Sequence, residues 1–310
     1  MTEALSPLPA EPAYTPYDGS TRPFTIGLKP LDLAKWIEID RHFEFQMAEK
    51  RRVYAEHGAL AFVEEEGTEA VQVEVLELLT AHLRAYFPER YQDHDGQLAA
   101  IGQPPPEPGL PPLKTASLLI QEDLIVMRRS ADGWRLVAGA LCFPSSWSLR
   151  EKFGRTMQDI HIPVPAFGPG TRTAGLIERI FDNLAVEQPV ERFNWSIQAG
   201  DALYHPLSDR QRIDRSGRRL SRLDGDDLAA STFMRVERQT LRKLPASGDI
   251  LFTIRIFLDP LGVLERHADR AVLAASFAAQ LSALDQSQLD YKGLAADRDR
   301  LVALLHHMSR

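Results

Sequence analysis

The 310-residue sequence has little of what marks several large classes of protein. Its single cysteine, Cys142, excludes an intrachain disulfide and a cysteine-built metal or iron–sulfur site. No apolar run approaches the roughly 18 residues that a membrane-spanning helix needs. Basic residues number 36 against 43 acidic ones, a net charge of −7, so the chain lacks the general cationic surface of a nucleic-acid-coating protein.

The motifs of common enzyme classes are missing as well. We find no GxGxxG or GxxxxGKS/T loop for a nucleotide, no HExxH zinc motif and no GxSxG nucleophile turn. The first residues lack the basic and apolar regions of a signal peptide, so we expect a cytoplasmic protein with no membrane partner. A hydrophobic content of 44% and a charged content of 25% are typical of a folded globular chain.

Proline content and apolar periodicity divide the chain into four segments. Residues 1–22 are proline-rich and predict a surface or disordered tail. Residues 23–112 contain the clearest amphipathic helix, Thr68–Phe87, and end in a stiff connector with six prolines. Residues 113–262 carry the strand-like runs, and residues 263–310 form a helical extension with alanine-rich stripes.

Five strand-like runs and one short helix define the third segment. The helix is Thr173–Ala185, and an Asp132-Gly133 turn joins the first two strands into a hairpin. The strands are Ala116–Met127, Trp134–Phe143, Arg192–Gln198, Thr232–Leu244 and Asp249–Leu258. This order predicts an α+β fold, with an antiparallel sheet and short helices on one face.

One histidine stands out from the other eight. His161 lies in Ile160–Pro165, where Pro163 and Pro165 exclude helix and a rigid apolar backbone presents the imidazole. Either it is a core histidine hydrogen-bonded to a carbonyl, or it is a ligand or catalytic group. Six others lie in polar surroundings that predict surface positions: His42, His57, His82, His94, His205 and His267.

Charged residues interrupt two of the predicted strands. In Arg235–Thr240, alternation places Glu237 on one face and Arg238 on the other, and Arg255 interrupts the following strand. This pattern is typical of either a solvated sheet face or a polar pocket wall that holds an anion. The arginine-rich segment Ser208–Asp224 predicts a solvated loop, or alternatively a docking site for an acidic partner.

Several short segments in fixed order carry a family resemblance. They are Gln121–Leu124, Phe143–Trp147, Glu151–Gly154 with Ile160–Pro165, Arg192–Trp195, Arg235–Leu241 and Phe252–Arg255. In this order the sequence resembles the haem-dependent oxidative N-demethylase family. The resemblance runs from about Pro23 to the C-terminal helix and is densest between Thr115 and Leu258.

This resemblance implies a PAS-like fold, in which a five-stranded antiparallel sheet and short helices cradle haem b. It also implies oxidative demethylation of a small secondary amine such as dimethylamine, with O₂ and with electrons from a separate flavin and iron–sulfur reductase. No flavin or iron–sulfur motif is present here, so those cofactors are expected on another chain. The alternatives are a haem-based gas or redox sensor and a haem-binding protein without catalysis.

The resemblance and the residue chemistry together give a set of predicted site residues. We expect His161 to be the axial ligand of the haem iron. Glu237, Arg238 and Arg255 are predicted to be catalytic, by stabilising reduced oxygen or by receiving an alkylammonium substrate. The residues predicted to contact the cofactor, besides His161, are Asn194, Trp195, Lys152 and Arg155.

Overall fold

The computed structural model describes residues 11–94, 96–223 and 227–310. Within these ranges, nine strands form two sheets, and all neighbouring strands within them are antiparallel. The strands are β1 Lys29–Pro30, β2 Phe62–Glu64, β3 Tyr91–His94, β4 Gln97–Ala100, β5 Asp123–Ser130, β6 Gly133–Ala140, β7 Val190–Ala199, β8 Thr232–Lys243 and β9 Ile250–Pro260. The large sheet has the order β1-β7-β8-β9-β5-β6-β2, and β3 and β4 form a separate hairpin.

Helices precede, interrupt and follow this sheet. They are α1 Phe43–Ala61, α2 Glu69–Tyr86, α3 Pro112–Ser117, α4 Leu149–Lys152, α5 Met157–Ile160, α6 Arg172–Asn183, α7 Asp209–Arg218, α8 Leu228–Ser231, α9 Arg270–Ser282, α10 Gln286–Lys292 and α11 Arg298–Met308. Two short 3₁₀ helices span Leu33–Lys35 and Leu261–Arg266. The α+β prediction is confirmed, and the sheet has seven strands because the N-terminal region adds β1 and β2 at its edges.

Two predicted elements were wrong. The segment Ala116–Met127 is not one strand, because α3 continues to Ser117 and β5 begins only at Asp123. The arginine-rich segment is not a loop, because residues 209–218 form α7. Ser208 caps this helix: its hydroxyl accepts from the Gln211 amide, and the Gln211 side chain accepts from the Ser208 amide. Asp224, at the end of that segment, lies outside the described residues.

The predicted N-terminal tail is partly packed against the body of the protein. Tyr17 is fully buried, and its ring stacks on Phe277 of α9 with centroids 4.4 Å apart. The Ser276 hydroxyl donates a hydrogen bond to the Tyr17 carbonyl at 2.8 Å. Residues 1–10 lie outside the described residues.

Strand alternation gives the large sheet two chemically different faces. One face, here called the helical face, carries Leu124, Val126, Val236 and Phe257 and packs against the N-terminal and C-terminal helices. The opposite face, here called the cavity face, carries Ile125, Met127 and Ile254 and packs under the segment from Leu141 to Leu184, including α6. Side chains of the cavity face and this covering segment enclose the candidate site.

Of the helices in the described ranges, none is long and apolar enough to cross a membrane.

Candidate functional site

A cavity of about 260 Å³ lies between the cavity face and the segment that covers it. The central strands provide its floor, and α4, α5, α6 and the residues that follow α5 provide its roof. Part of its wall comes from the N-terminal residues Phe24, Ile26 and Leu28. Segments far apart in sequence therefore meet here, because β7, β8, β9, β5 and β6 are neighbours in the sheet.

One end of the cavity is apolar. Its walls come from β5, β6 and β9 below and from α6 above, and they include Ile125, Met127, Leu136, Phe252, Ile177 and Phe181. Such a surface excludes water and favours an apolar ligand by the hydrophobic effect.

The other end of the cavity is strongly cationic. Five basic side chains line it: Lys152, Arg192, Arg212, Arg222 and Lys292. Within the described ranges, Lys152, Arg192 and Lys292 form no ion pair with a carboxylate, and the buried Nε of Arg192 has no hydrogen-bond partner. Cations that are partly or fully withdrawn from water and lack a counter-charge are costly. This end therefore fits a ligand with acidic groups.

Burial at the cationic end makes the charged form of Lys152 and Lys292 less favourable. Burial lowers the pKa of each from 10.5 to about 8, while the charge of Glu237 acts in the opposite direction. Lys152 Nζ lies 4.4 Å from the centroid of the Trp147 ring, and Lys292 Nζ donates to the Trp195 carbonyl at 2.5 Å. An anionic ligand would favour the charged form of both lysines.

His161 lines the cavity. It follows α5, where its backbone amide bonds back to the Met157 and Gln158 carbonyls at 3.2 Å. Burial, followed by the charges of Lys152 and Arg192, lowers the pKa of the imidazole to about 4. The ring is therefore neutral at pH 7, which is the form that donates a lone pair to a metal ion.

A second histidine of the cavity wall, His205, was missed because its flanking sequence looked like a surface loop. His205 is half-buried, and its backbone bonds to Pro144 and Ser146, which join it to the roof. Burial, and then Arg222, lower the pKa of its imidazole. The surface prediction was also wrong for His82, which is buried against Trp36 with ring centroids 5.1 Å apart.

Glu237 lines the cavity together with Asn194, its cross-strand neighbour on β7. Its carboxylate accepts from Gln239 Nε2 at 2.9 Å and lies 3.5 Å from Asn194 Nδ2. These two amides orient the carboxylate without neutralising it. Glu237 is thus the acidic group within a largely cationic wall.

The structure does not bring Arg238 and Arg255 to this cavity. Both guanidinium groups lie on the helical face, because their positions alternate with those of Glu237 and Ile254. Arg238 bonds to Glu191 at 2.8 Å and to backbone carbonyls of the N-terminal region. Arg255 lies 2.8 Å from Asp40. Within the described ranges, both arginines fasten the sheet to neighbouring segments and neither lines the cavity.

The other predicted contact residues divide in the same way. Asn194 and Lys152 line the cavity. The Trp195 side chain lies on the helical face, where its indole Nε1 donates to Gln280 at 3.3 Å. Arg155 is exposed and pairs with Asp209 of α7 at 3.3 Å, outside the cavity wall.

An apolar compartment with a neutral imidazole and a cationic end suits an apolar, metal-containing ligand that carries carboxylates. Comparison with known protein families gives a match of the same kind. The description "haem-dependent oxidative N-demethylase, alpha subunit-like" covers residues 27–302, which include the strands of the large sheet and most of the cavity wall. The chain therefore belongs to the haem-dependent oxidative N-demethylase, alpha subunit-like, family.

Proposed function

We propose that the cavity binds haem b and that the chain removes a methyl group oxidatively from a small secondary amine such as dimethylamine. The observation that carries this proposal is the composition of the cavity. Its apolar end, its neutral His161 and its cationic end match the macrocycle, the iron and the propionates of one haem.

The strand order supports a PAS-like haem domain. The five strands β5 to β9, renumbered in chain order, lie in the spatial order 3-4-5-1-2, with α4, α5 and α6 inserted between the second and the third. This insertion places the helices over the cavity face, where a PAS-like domain would hold its cofactor. β1 and β2 are additions to this five-stranded unit.

We assign His161 as the ligand of the iron, with its pKa near 4 keeping the imidazole uncharged across the neutral range. Lys152, Arg192, Arg222 and Lys292 would hold the two propionates. Within the described ranges, Lys152, Arg192 and Lys292 have no carboxylate partner and Arg192 Nε has no hydrogen-bond partner, which supports this role. Arg155, Trp195, Arg238 and Arg255 receive no role at the haem, since their side chains lie elsewhere.

When bound, haem supplies the redox chemistry that activates dioxygen, with electrons from a separate flavin and iron–sulfur reductase. Overall, dimethylamine, O₂, two electrons and two protons give methylamine, formaldehyde and water. The oxidised methyl carbon becomes a carbinolamine, whose C–N bond then breaks.

The protein's own residues bind and orient the amine. Glu237 receives the ammonium group as its counter-ion and accepts a hydrogen bond from its N–H. Asn194 and Gln239 fix that carboxylate through their amide groups. The apolar walls from β5, β6 and α6 exclude water from the reacting methyl group.

The function is tested by supplying the haem-loaded protein with O₂, a surrogate electron donor and a panel of methylated amines. We expect formaldehyde in proportion to the amine consumed and a shift of the haem spectrum when the amine binds. A protein that formed a long-lived oxygen complex indifferent to every amine, and released no aldehyde, would be a sensor instead.

A further inference from the structure

A second cavity of about 310 Å³, here called the outer cleft, lies beside the main one. It runs between the N-terminal segment 14–29 and residues Arg192–Trp195 of β7. The cleft exists because β1 pairs with β7 only at Val190 and Glu191. Beyond that point, the N-terminal segment stands away from the edge of β7 and leaves a gap, since no other described strand pairs with this edge.

The outer cleft and the main cavity share a wall. Phe24, Arg192 and Asn194 line both of them. Side chains of these three residues therefore form part of the boundary between the outer cleft and the cavity that Glu237 lines.

Phe24 holds its place in this wall at a conformational cost. Its φ is +59°, a left-handed value that costs a non-glycine residue roughly 1 kcal/mol. The ring packs edge-to-face on Tyr291 with centroids 5.8 Å apart, and Lys292 Nζ lies 5.2 Å from its centroid. The ring is only partly buried, so packing does not hold it on every side.

We propose that the outer cleft is the entry route for small uncharged solutes into the main cavity, and that the Phe24 ring is its gate. We expect only small solutes to pass, because a single side chain, Phe24, moves to open the route. The preference for uncharged solutes follows from the lining, in which Arg22, Lys29 and Arg192 outnumber the one carboxylate, Asp18. A cation would be repelled there, so an amine would pass as its free base. The route rests on the two cavities alone, whatever cofactor the main cavity holds.

The test uses the full chain before haem is added, with isocyanic acid as the probe. This small neutral molecule adds across its C=N bond to an uncharged lysine amine and forms a urea without a leaving group. Lys152 is the reporter inside the cavity, and its pKa of about 8 makes it reactive near neutral pH. The exposed Lys35 is the surface control. Mass spectrometry gives the rate of modification at each lysine.

The cleft is blocked by labelling Ser20→Cys with a bulky neutral maleimide. Ser20 is exposed and lines the outer cleft, whereas the native Cys142 is fully buried, and burial raises its pKa to about 12. The matched control is Arg155→Cys with the same label, at an exposed position outside both cavity walls and on the Lys152 side of the protein.

We expect the label at position 20 to slow modification of Lys152 about tenfold, with Lys35 unchanged, and Phe24→Ala without a label to accelerate it several-fold. The label at position 155 should have no effect relative to the unlabelled Arg155→Cys chain. The proposal is overturned if the label at position 20 leaves the rate of Lys152 modification unchanged. This holds whether or not the label at position 155 slows that modification. These outcomes do not depend on haem binding, so they are separate from failure of the proposed function.

Discussion

Arg238 and Arg255 lie directly opposite each other on β8 and β9, with both guanidinium groups on the helical face. Two neighbouring cations destabilise a sheet unless they are compensated. Here Glu191 lies 2.8 Å from Arg238, and Asp40 lies 2.8 Å from Arg255. The pair therefore joins the central strands to the N-terminal region, and the ligand-binding chemistry lies on the other side of the sheet.

Replacing Arg255 should cost stability and leave ligand binding intact. Arg255→Leu removes a guanidinium that is 1% exposed, and with it the charge that pairs with Asp40 and an N–H that donates to Gln46. We expect a loss of about 3 kcal/mol in the free energy of unfolding, measured in urea. The folded fraction should bind haem as the wild type does. A stable Arg255→Leu protein that failed to bind haem would return Arg255 to the site.

Replacing Glu237 should weaken amine binding and leave stability nearly unchanged. Glu237→Gln keeps the shape of the side chain but removes the negative charge that faces the cavity. We expect the dissociation constant for dimethylamine, read from the shift of the haem spectrum, to rise about 10- to 100-fold, with little change in stability.

Glu191→Gln is the control for this substitution, because Glu191 pairs with Arg238 on the helical face. It should leave the affinity for the amine unchanged. Equal affinity in both variants would remove Glu237 from substrate binding.

The two cavity lysines predict how the stability of the haem-free chain depends on pH. Their pKa falls from 10.5 in the unfolded chain to about 8 in the folded one, so between these values the unfolded chain binds more protons. The free energy of unfolding of the wild type, minus that of the double variant Lys152→Met/Lys292→Met, should therefore rise from pH 8 to pH 10.5. Below pH 8 the lysines are charged in both states, and that stabilisation is lost. Urea titrations at pH 7.5 and 9.5 measure the difference, and a fall towards high pH would contradict it.

Matched alanine variants distinguish the roles of the two histidines that line the cavity, His161 and His205. His161→Ala should abolish the wild-type ferrous–CO spectrum, because the neutral imidazole of His161 is the assigned ligand. His205→Ala should retain that spectrum, since His205 lies near the charges of Arg215, Arg222 and Arg235, towards the cationic end of the cavity. The reverse pattern would exchange their roles.

Local patterns in the sequence were enough to predict β6, β7, β8 and β9 and the two faces of β8. Alternation in Arg235–Thr240 separated Glu237 from Arg238, and the structure places them on opposite faces. The rigid Ile160–Pro165 segment drew attention to His161, which lines the cavity. Sequence periodicity predicts a strand and its two faces, because the direction of each side chain depends only on its position along that strand.

The cationic end of the cavity could not be predicted in this way. Arg192, Arg222 and Lys292 come from a strand, a connection and a helix separated by up to 100 residues, and sheet topology alone brings them together. His205 looked like a surface residue because its burial comes from contacts with Pro144 and Ser146, which its own flanking sequence does not reveal. Similarly, the capping box at Ser208 was hidden within a segment whose charge suggested a loop.

Haem binding by this cavity is measured most directly by titrating the purified chain with haem and following absorbance in the Soret region. We expect a saturable Soret band at about one haem per chain, and its shift or loss in His161→Ala. A featureless spectrum from folded wild-type protein at saturating haem would contradict the assignment of this cavity as a haem site.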